Sequence, residues 1–286
     1  MTTRLKVRHV SRYVYASKVM ASFNEARLSP LVLPWQNTLE SLMYIDSDGR
    51  NATWEYSYYD YWGTWVRAFE IQNPHTRLTV EAVSTVEVDD RRRLVAELGM
   101  TWDEVRSDHN YQRFGEYLTQ TERTQPTNDL AQLATEIGHN YGPHEAALAI
   151  CNLVREKVTY VPGSTGVNTS AAQSWVAGTG VCQDYAHIVI GALRHIGLPA
   201  RYVSGYLHPD TDAPIGLAVA GESHAWVQWW LGEWVGHDPT NDQNPSEHHV
   251  LVATGRDYTD APPIKGLVAG SAEADLSVTV EITRLS

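Results

Sequence analysis

Apolar and polar positions change their period partway along the chain. From Arg4 to Val10 they alternate, with Leu5, Val7 and then His9 or Val10 on the apolar side, and residues 53–71 and 77–88 are dense in Thr, Val, Tyr and Trp. Alternation and such residues predict strands. Asp48-Gly49, Gly63 and Asn73-Pro74 punctuate these runs as turns, so the N-terminal part reads as antiparallel β. The charged stretch VDDRRR marks a boundary, which gives an N-terminal β-rich domain at 1–95 and a second domain at 96–286. Beyond it, residues 101–120, 128–139 and 144–157 carry apolar positions at helical spacing, Leu148, Cys151, Leu153 and Val154 in the last of them. Residues 182–196 continue the pattern, with Ala186, Val189, Ile190, Leu193 and Ile196 on one side and Gly197-Leu198-Pro199 as a stop. Ala200–Leu207, Ser223–Leu231 and Trp234–Asp238 then read as strands. Residues 275–285 supply a last one, which is free to return to the N-terminal β domain. Strands before and after a helical block make the fold class α+β.

Composition narrows the function. With 286 residues, 43% of them hydrophobic, the chain can bury a full core. Its formal charge of −12, from 22 Lys and Arg against 34 Asp and Glu, repels a phosphate backbone, so no nucleic acid is expected. The basic triplet Arg91-Arg92-Arg93 follows Asp89-Asp90 and reads as a solvated linker. No apolar run approaches the roughly 20 residues of a membrane helix, and MTTRLKVRHV lacks the apolar segment of a secretory signal. A soluble protein of a reducing cytoplasm, without a membrane partner, is the expectation.

The two cysteines are Cys151 and Cys182, and Cys182 stands in GTGVCQDYAH, between a glycine-rich turn and a helix start. The first turn of a helix leaves backbone N–H groups unpaired at the positive end of the macrodipole. A thiol there ionises more readily than the free value of about 8.5, and the same N–H groups can donate to an oxyanion. Free cysteine is also a common small core residue, and position alone does not choose between the two readings.

A thiol nucleophile needs a base, and the base an orienting group. ESHAWVQWWLGEWVGHDPTN offers His224 near the start of one strand and Asp238 at the end of the next, joined through Gly232. Strand parity then constrains the pair, since His224, Trp226 and Gln228 share one face and Ala225, Val227 and Trp229 the other. A two-residue loop, Gly232-Glu233, pairs Leu231 with Trp234 and sends the Asp238 carboxylate to the wrong face. A three-residue loop, Leu231–Glu233, pairs Trp230 with Trp234 and Trp226 with Asp238, leaving Asp238 diagonal to His224. A Cys182–His224–Asp238 triad therefore requires the odd loop or a compensating bulge.

With these three residues in that order, the sequence resembles the transglutaminase-like cysteine enzyme superfamily, in its bacterial branch with an N-terminal β region. The resemblance rests on residues 178–207 (GTGVCQDYAHIVIGALRHIGLPARYVSGYL), SHAWV at 223–227 and HDPTN at 237–241. It extends to RLKVRHVSRYVY and NEARLSP near the start and to APPIKG at 261–266. It implies a papain-like core, with the Cys-bearing helix packed on an antiparallel sheet. It also implies that Cys182 attacks an amide or ester carbonyl, His224 shuttles the proton and Asp238 orients His224. The animal enzymes of the superfamily use an indole upstream of the nucleophile to hold the oxyanion, and no tryptophan stands at a comparable distance here. The Cys182 backbone N–H is the first oxyanion candidate, with Gln173, Trp175 and Gln183 as further ones and Trp226 as a substrate contact.

The expected reaction is acyl transfer through a thioester on Cys182, with hydrolysis of a peptide or amide favoured over transfer to an amine. Its substrate is then a peptide, protein or small amide. A catalytically silent interaction module is the alternative of another class, and the sequence leaves the oligomeric state open. No cofactor or metal is expected: Glu247-His248-His249 and His208 with Asp210 match no common metal spacing. His187 and His195 read as packing or surface residues and His237 as structural. Asp184 and Glu222 read as capping or solvent-facing carboxylates and Cys151 as core. The indoles at 226, 229, 230 and 234 fit either an acyl groove or packing between domains.

Overall fold

The computed structural model describes residues 2–89, 99–210, 212–270 and 273–286. Alternation in the N-terminal part folds as six strands: β1 (Thr2–Val19), β2 (Ala21–Ala26), β3 (Gln36–Asp46), β4 (Trp54–Tyr59), β5 (Trp65–Ile71) and β6 (His75–Asp89). The dense run at 53–71 is thus two strands. Asp60 accepts the N–H groups of Trp62 and Thr64, and Gly63 takes a φ of 77°, which turns the chain between them. The sequence pattern does not announce β3, because most of its side chains face solvent and no apolar stripe marks it. The Arg91–Arg93 triplet and the junction at 95/96 lie outside the described residues.

Four helices follow, α1 (Trp102–Val105), α2 (Asp108–Leu118), α3 (Asn128–Asn140) and α4 (Pro143–Lys157). The helical run expected over 101–120 is broken because it contains two starts. Thr101 and Glu104 form a capping box, and Ser107 then accepts the Asn110 N–H and opens α2. A short parallel pair, β7 (Thr159–Tyr160) and β8 (Thr179–Gly180), brackets α5 (Ala171–Ala177) and leads into α6 (Cys182–His195). The chain closes with β9 (Ala200–Leu207), β10 (Ala218–Trp230), β11 (Trp234–His237), β12 (His249–Gly255), β13 (Ile264–Ala269) and β14 (Ala274–Arg284). All seven residues of β12 are buried, so it lacks the alternation by which a half-exposed strand is recognised.

Helix α6 is the centre of the molecule. Its spacing predicts one apolar side, yet every residue from Gln183 to Arg194 is buried, because the helix lies between β9–β10 and the other helices. Its polar residues find partners inside, although His187 Nδ1 is left without one among the described residues. The Arg194 guanidinium donates to the carbonyls of Tyr117, Thr119, Ala200 and Arg256, and His187 Nε2 accepts the Tyr258 N–H. The aliphatic face of α6 meets Ala225, Val227 and Trp229 of β10 in the main core.

An eight-stranded sheet, ordered β12-β9-β10-β14-β1-β6-β3 with β11 added on β10, runs through both halves of the chain. The last strand, β14, pairs with β1 from Leu5↔Arg284 to Tyr15↔Ala274 and with β10 from Ala218↔Thr283 to Gly221↔Val280. Leu5 and Val7 of β1 join the main core, while Tyr15 and Val19 join a second core with Phe69 and Ile71 of the four-stranded sheet β13-β2-β5-β4. Among the described residues no helix is long and apolar enough to cross a membrane.

Candidate active site

The glycine-rich turn before Cys182 has a steric basis. Gly178 ends α5 in the left-handed region, at φ 66°. A Cβ at Gly180 would stand 2.8 Å from Cβ of Asp184, so the turn admits only glycine there. Asp184 lies at the third position of α6 and reaches back to accept the Val181 N–H at 2.8 Å, as in half of a capping box. Thr165 and Ser174 donate their hydroxyls to the same carboxylate at 2.5 and 3.0 Å. Asp184 therefore caps, but from a fully buried position that fastens the turn to α5 and to the 161–170 loop. This leaves Cys182 as the first residue of α6, half-buried, with a free thiol.

Register places the other two residues. Strand β10 pairs with β11 through Val227↔His237, Gln228↔Gly236, Trp229↔Val235 and Trp230↔Trp234, so the loop is the three-residue Leu231–Glu233. Gly232 takes a φ of 88° and the Leu231 N–H donates to the Glu233 carbonyl at 2.9 Å, closing it. His224 Nε2 then stands 2.7 Å from Asp238 Oδ2. The β14 ladder on β10 ends at Gly221 and the β11 ladder starts at Val227, so His224 occupies the interval between them. With Nε2 committed to Asp238, Nδ1 is the nitrogen left for the neighbouring Cys182 thiol, which acts on the His224 charge.

Asp238 is fully buried and surrounded by donors. Its Oδ1 accepts the backbone N–H groups of Thr240 at 3.0 Å and Asn241 at 3.3 Å, an Asx-type turn. Its Oδ2 accepts Asn241 Nδ2–H at 2.8 Å in addition to His224. His249 Nε2 lies 3.5 Å from the same oxygen. The HDPTN motif contains Asn241; the sequence marks His249, which arrives from β12 through sheet pairing, only as a weak metal-ligand candidate, and does not mark Tyr160 on β7.

These contacts set the charges. Burial disfavours the His224 imidazolium, but the hydrogen bond to Asp238, the neighbouring Cys182 and the nearby carboxylate charge outweigh it and hold the ring up at about 10. Burial alone would push the Asp238 carboxyl up; the hydrogen bonds from His224 and Asn241 and the nearby His249 ring win and hold it far below the usual carboxylate range. Burial pushes the Cys151 thiol far up, as fits a core residue. Burial and the neighbouring Cys182 and Glu222 push the Tyr160 phenol up to about 12, so this half-exposed hydroxyl beside the site stays protonated.

Two candidates are engaged elsewhere. Trp175 is buried and donates Nε1–H to Asp129 at 2.7 Å, which removes it as an oxyanion donor. Gln173 is exposed and its Oε1 accepts the Ser170 N–H and hydroxyl, capping α5. Gln183 sits next to Cys182 in the first turn of α6. Trp226 is buried, lies 6.2 Å from His224 ring to ring, and packs with Val203, Leu251 and the 31–35 segment rather than lining an open groove. Trp230 and Trp234 pack on Phe114 and Tyr117 of α2. His195 bonds Thr135 at 3.1 Å and His237 bonds Asn244 at 3.1 Å, while Glu222 is exposed. Among the described residues no group of three or more His, Cys, Asp or Glu side chains gathers to hold a metal ion.

Two family models match this chain: the transglutaminase-like superfamily core over residues 131–239, and the bacterial transglutaminase-like N-terminal region over residues 5–87. An uncharacterized protein of Mycobacterium leprae is 44% identical over 99% of both chains. A protein-glutamine gamma-glutamyltransferase of Pseudomonas aeruginosa is 34% identical over 114 residues, 36% of this chain and 17% of that protein. A solved structure from Cytophaga hutchinsonii, described as a candidate cysteine protease, aligns with a TM-score of 0.78 at 22% identity, over all of this chain and 92% of that one.

Proposed function

The chain belongs to the transglutaminase-like superfamily, and on that premise we propose that it catalyses cysteine-dependent acyl transfer, with Cys182 as nucleophile, His224 as acid and base, and Asp238 as the group that orients His224. The observation that carries this reading is the buried Asp238–His224 hydrogen bond set beside a half-buried cysteine at a helix start. In the first step a bond forms between the sulfur and the substrate carbonyl carbon. The carbon–nitrogen bond breaks, and His224 delivers its proton to the leaving amine. In the second, water attacks the thioester, His224 takes its proton, and the acid and the free thiol are released. The unpaired N–H groups of the first turn of α6, Cys182 N–H first, face developing oxyanion charge, with Gln183 and the protonated Tyr160 as side-chain donors nearby.

Hydrolysis of a peptide or amide is the favoured outcome, since half-exposure of Cys182 leaves the thioester open to water. Transfer to an amine is the second reading, favoured by the likeness of one third of the chain to a protein-glutamine gamma-glutamyltransferase. Both cysteines are free thiols, which suits the reducing cytoplasm we assign to the protein. Intact-mass trapping with a panel of peptide amides and esters tests the reaction. A thioester adduct on the wild type, absent from Cys182→Ser, is expected, and its release by water rather than by added primary amines would establish hydrolysis. No adduct with any amide or ester would overturn the reading.

A further inference from the structure

Asp238 is held mainly by its own loop. Thr240 and Asn241 follow it directly, and its backbone pairs with Gln243. His249 is different, because it belongs to β12, on the far side of β9 from β10. Its residue is 1% exposed. The Ser246 N–H donates to its Nδ1 at 3.1 Å, so the ring proton of the neutral imidazole sits on Nε2. That nitrogen has no hydrogen-bond partner of normal geometry among the described residues, and the polar atom facing it is Asp238 Oδ2 at 3.5 Å, an electrostatic contact longer than a hydrogen bond. The ring itself is wedged: the Trp226 indole meets it edge-on at 5.4 Å and 81°. The indole also crosses Gly205, where a Cβ would stand 2.6 Å from the Trp226 ring. Tautomer, ring plane and depth are all fixed by neighbours.

We propose that His249 is a positioning residue for the acyl-transfer site, a neutral imidazole whose buried Nε2–H, 3.5 Å from Asp238 Oδ2, holds the carboxylate electrostatically from β12 in the orientation His224 requires. The inference rests on the assignment of Asp238 and His224 above and adds a residue from a third element to it. Burial holds His249 below its ordinary range against the pull of Asp238, so the ring is uncharged at neutral pH and faces the carboxylate without competing as a cation. The titratable groups facing it are Asp238, His224 and His248. Without the pin, the carboxylate is free to turn within its loop, and the hydrogen bond that keeps His224 protonated weakens.

The test is the titration of His224 in full-length protein labelled with 13C at histidine Cε1, the signal assigned by its loss in His224→Gln. His249→Phe keeps the ring against Trp226 and removes both nitrogens, whereas His249→Gln returns an N–H donor near the position of Nε2. The His224 midpoint is expected to fall by about one pH unit or more in His249→Phe and to recover in His249→Gln. A midpoint unchanged in His249→Phe, or equally lowered in both variants, overturns the proposal. Melting curves report folding, and if the Phe variant does not fold, the Gln variant alone decides: a wild-type midpoint supports the pin and a lowered one sinks it. Thioester trapping is read separately. A His249-dependent midpoint in a protein that traps no thioester supports the positioning role and removes only the assigned reaction.

Discussion

His224 and Asp238 meet at 2.7 Å because the β10–β11 hairpin has an odd loop. Side chains alternate faces along a strand, so the three residues Leu231–Glu233 put both groups on one side of the sheet, where a two-residue turn would have parted them. The imidazole is thereby held charged in a buried place. Reactivity, pH dependence and tolerance to substitution all follow from that pair.

Iodoacetamide at neutral pH is expected to label Cys182 and spare Cys151. The first is a half-buried thiol beside an imidazolium; the second is fully buried with its thiol pushed far up. Mass spectrometry of the native protein should show one adduct, lost in Cys182→Ser and slowed in His224→Ala. Equal labelling of both cysteines, or an unchanged rate in His224→Ala, would contradict the arrangement.

Asp238→Asn keeps the shape of the side chain but turns an acceptor into a partial donor facing His224 and Asn241. Turnover of any substrate found by trapping should fall on the order of a thousandfold. An Asn variant within tenfold of wild type would show that Asp238 does not orient the base.

The folded His224 pKa, about 10, lies above its ordinary 6.5, so the native state binds more protons between those values than the unfolded one. Stability from this group is fully present below 6.5 and is lost as pH rises through the folded value, at up to roughly 1 kcal/mol per pH unit. Asp238 acts in the opposite window: its contribution is present above the ordinary carboxylate value of 3.8 and disappears only in strong acid. Denaturant melts from pH 7 to 10 should show a decline that flattens in His224→Gln. The same slope in both proteins would refute the raised value.

Trp175→Phe should leave Cys182 alkylation at the wild-type rate while lowering stability by about 1 kcal/mol, since the indole N–H is spent on Asp129. A selective loss of reactivity without a loss of stability would restore Trp175 as an oxyanion donor.

Gly205→Ala should be severe. The added Cβ would stand 2.1 Å from the Val250 carbonyl oxygen and 2.6 Å from the Trp226 ring, neither able to retreat within the sheet. A loss of roughly 3 kcal/mol is expected, read as a lowered melting temperature. A variant as stable as wild type would mean that Trp226 does not lie across this position.

Much of the site was legible before folding. Cys182 was marked by the turn glycines and by the helical spacing that begins beside it. His224 and Asp238 were marked by a strand pattern whose parity required an odd loop or a compensating bulge. Gln173 and Trp175 misled because nearness in sequence to Cys182 says nothing about where a side chain spends its hydrogen bond: Ser170 takes one, Asp129 the other. Strands β3 and β12 were illegible for opposite reasons, one mostly exposed and one wholly buried, so neither alternates.

The sequence by itself determined the local terms: where α6 starts, which faces of β10 share a side, and which residue types stand ready for thiol chemistry. These depend on backbone sterics and on spacings of a few residues. Tertiary structure alone decided the buried environment that makes the Asp238–His224 pair a charged one, the return of β14 between β1 and β10, and the arrival of His249 at Asp238 from β12. Desolvation and donor geometry arise only when segments far apart in the chain exclude water from one another, and no local pattern encodes that encounter.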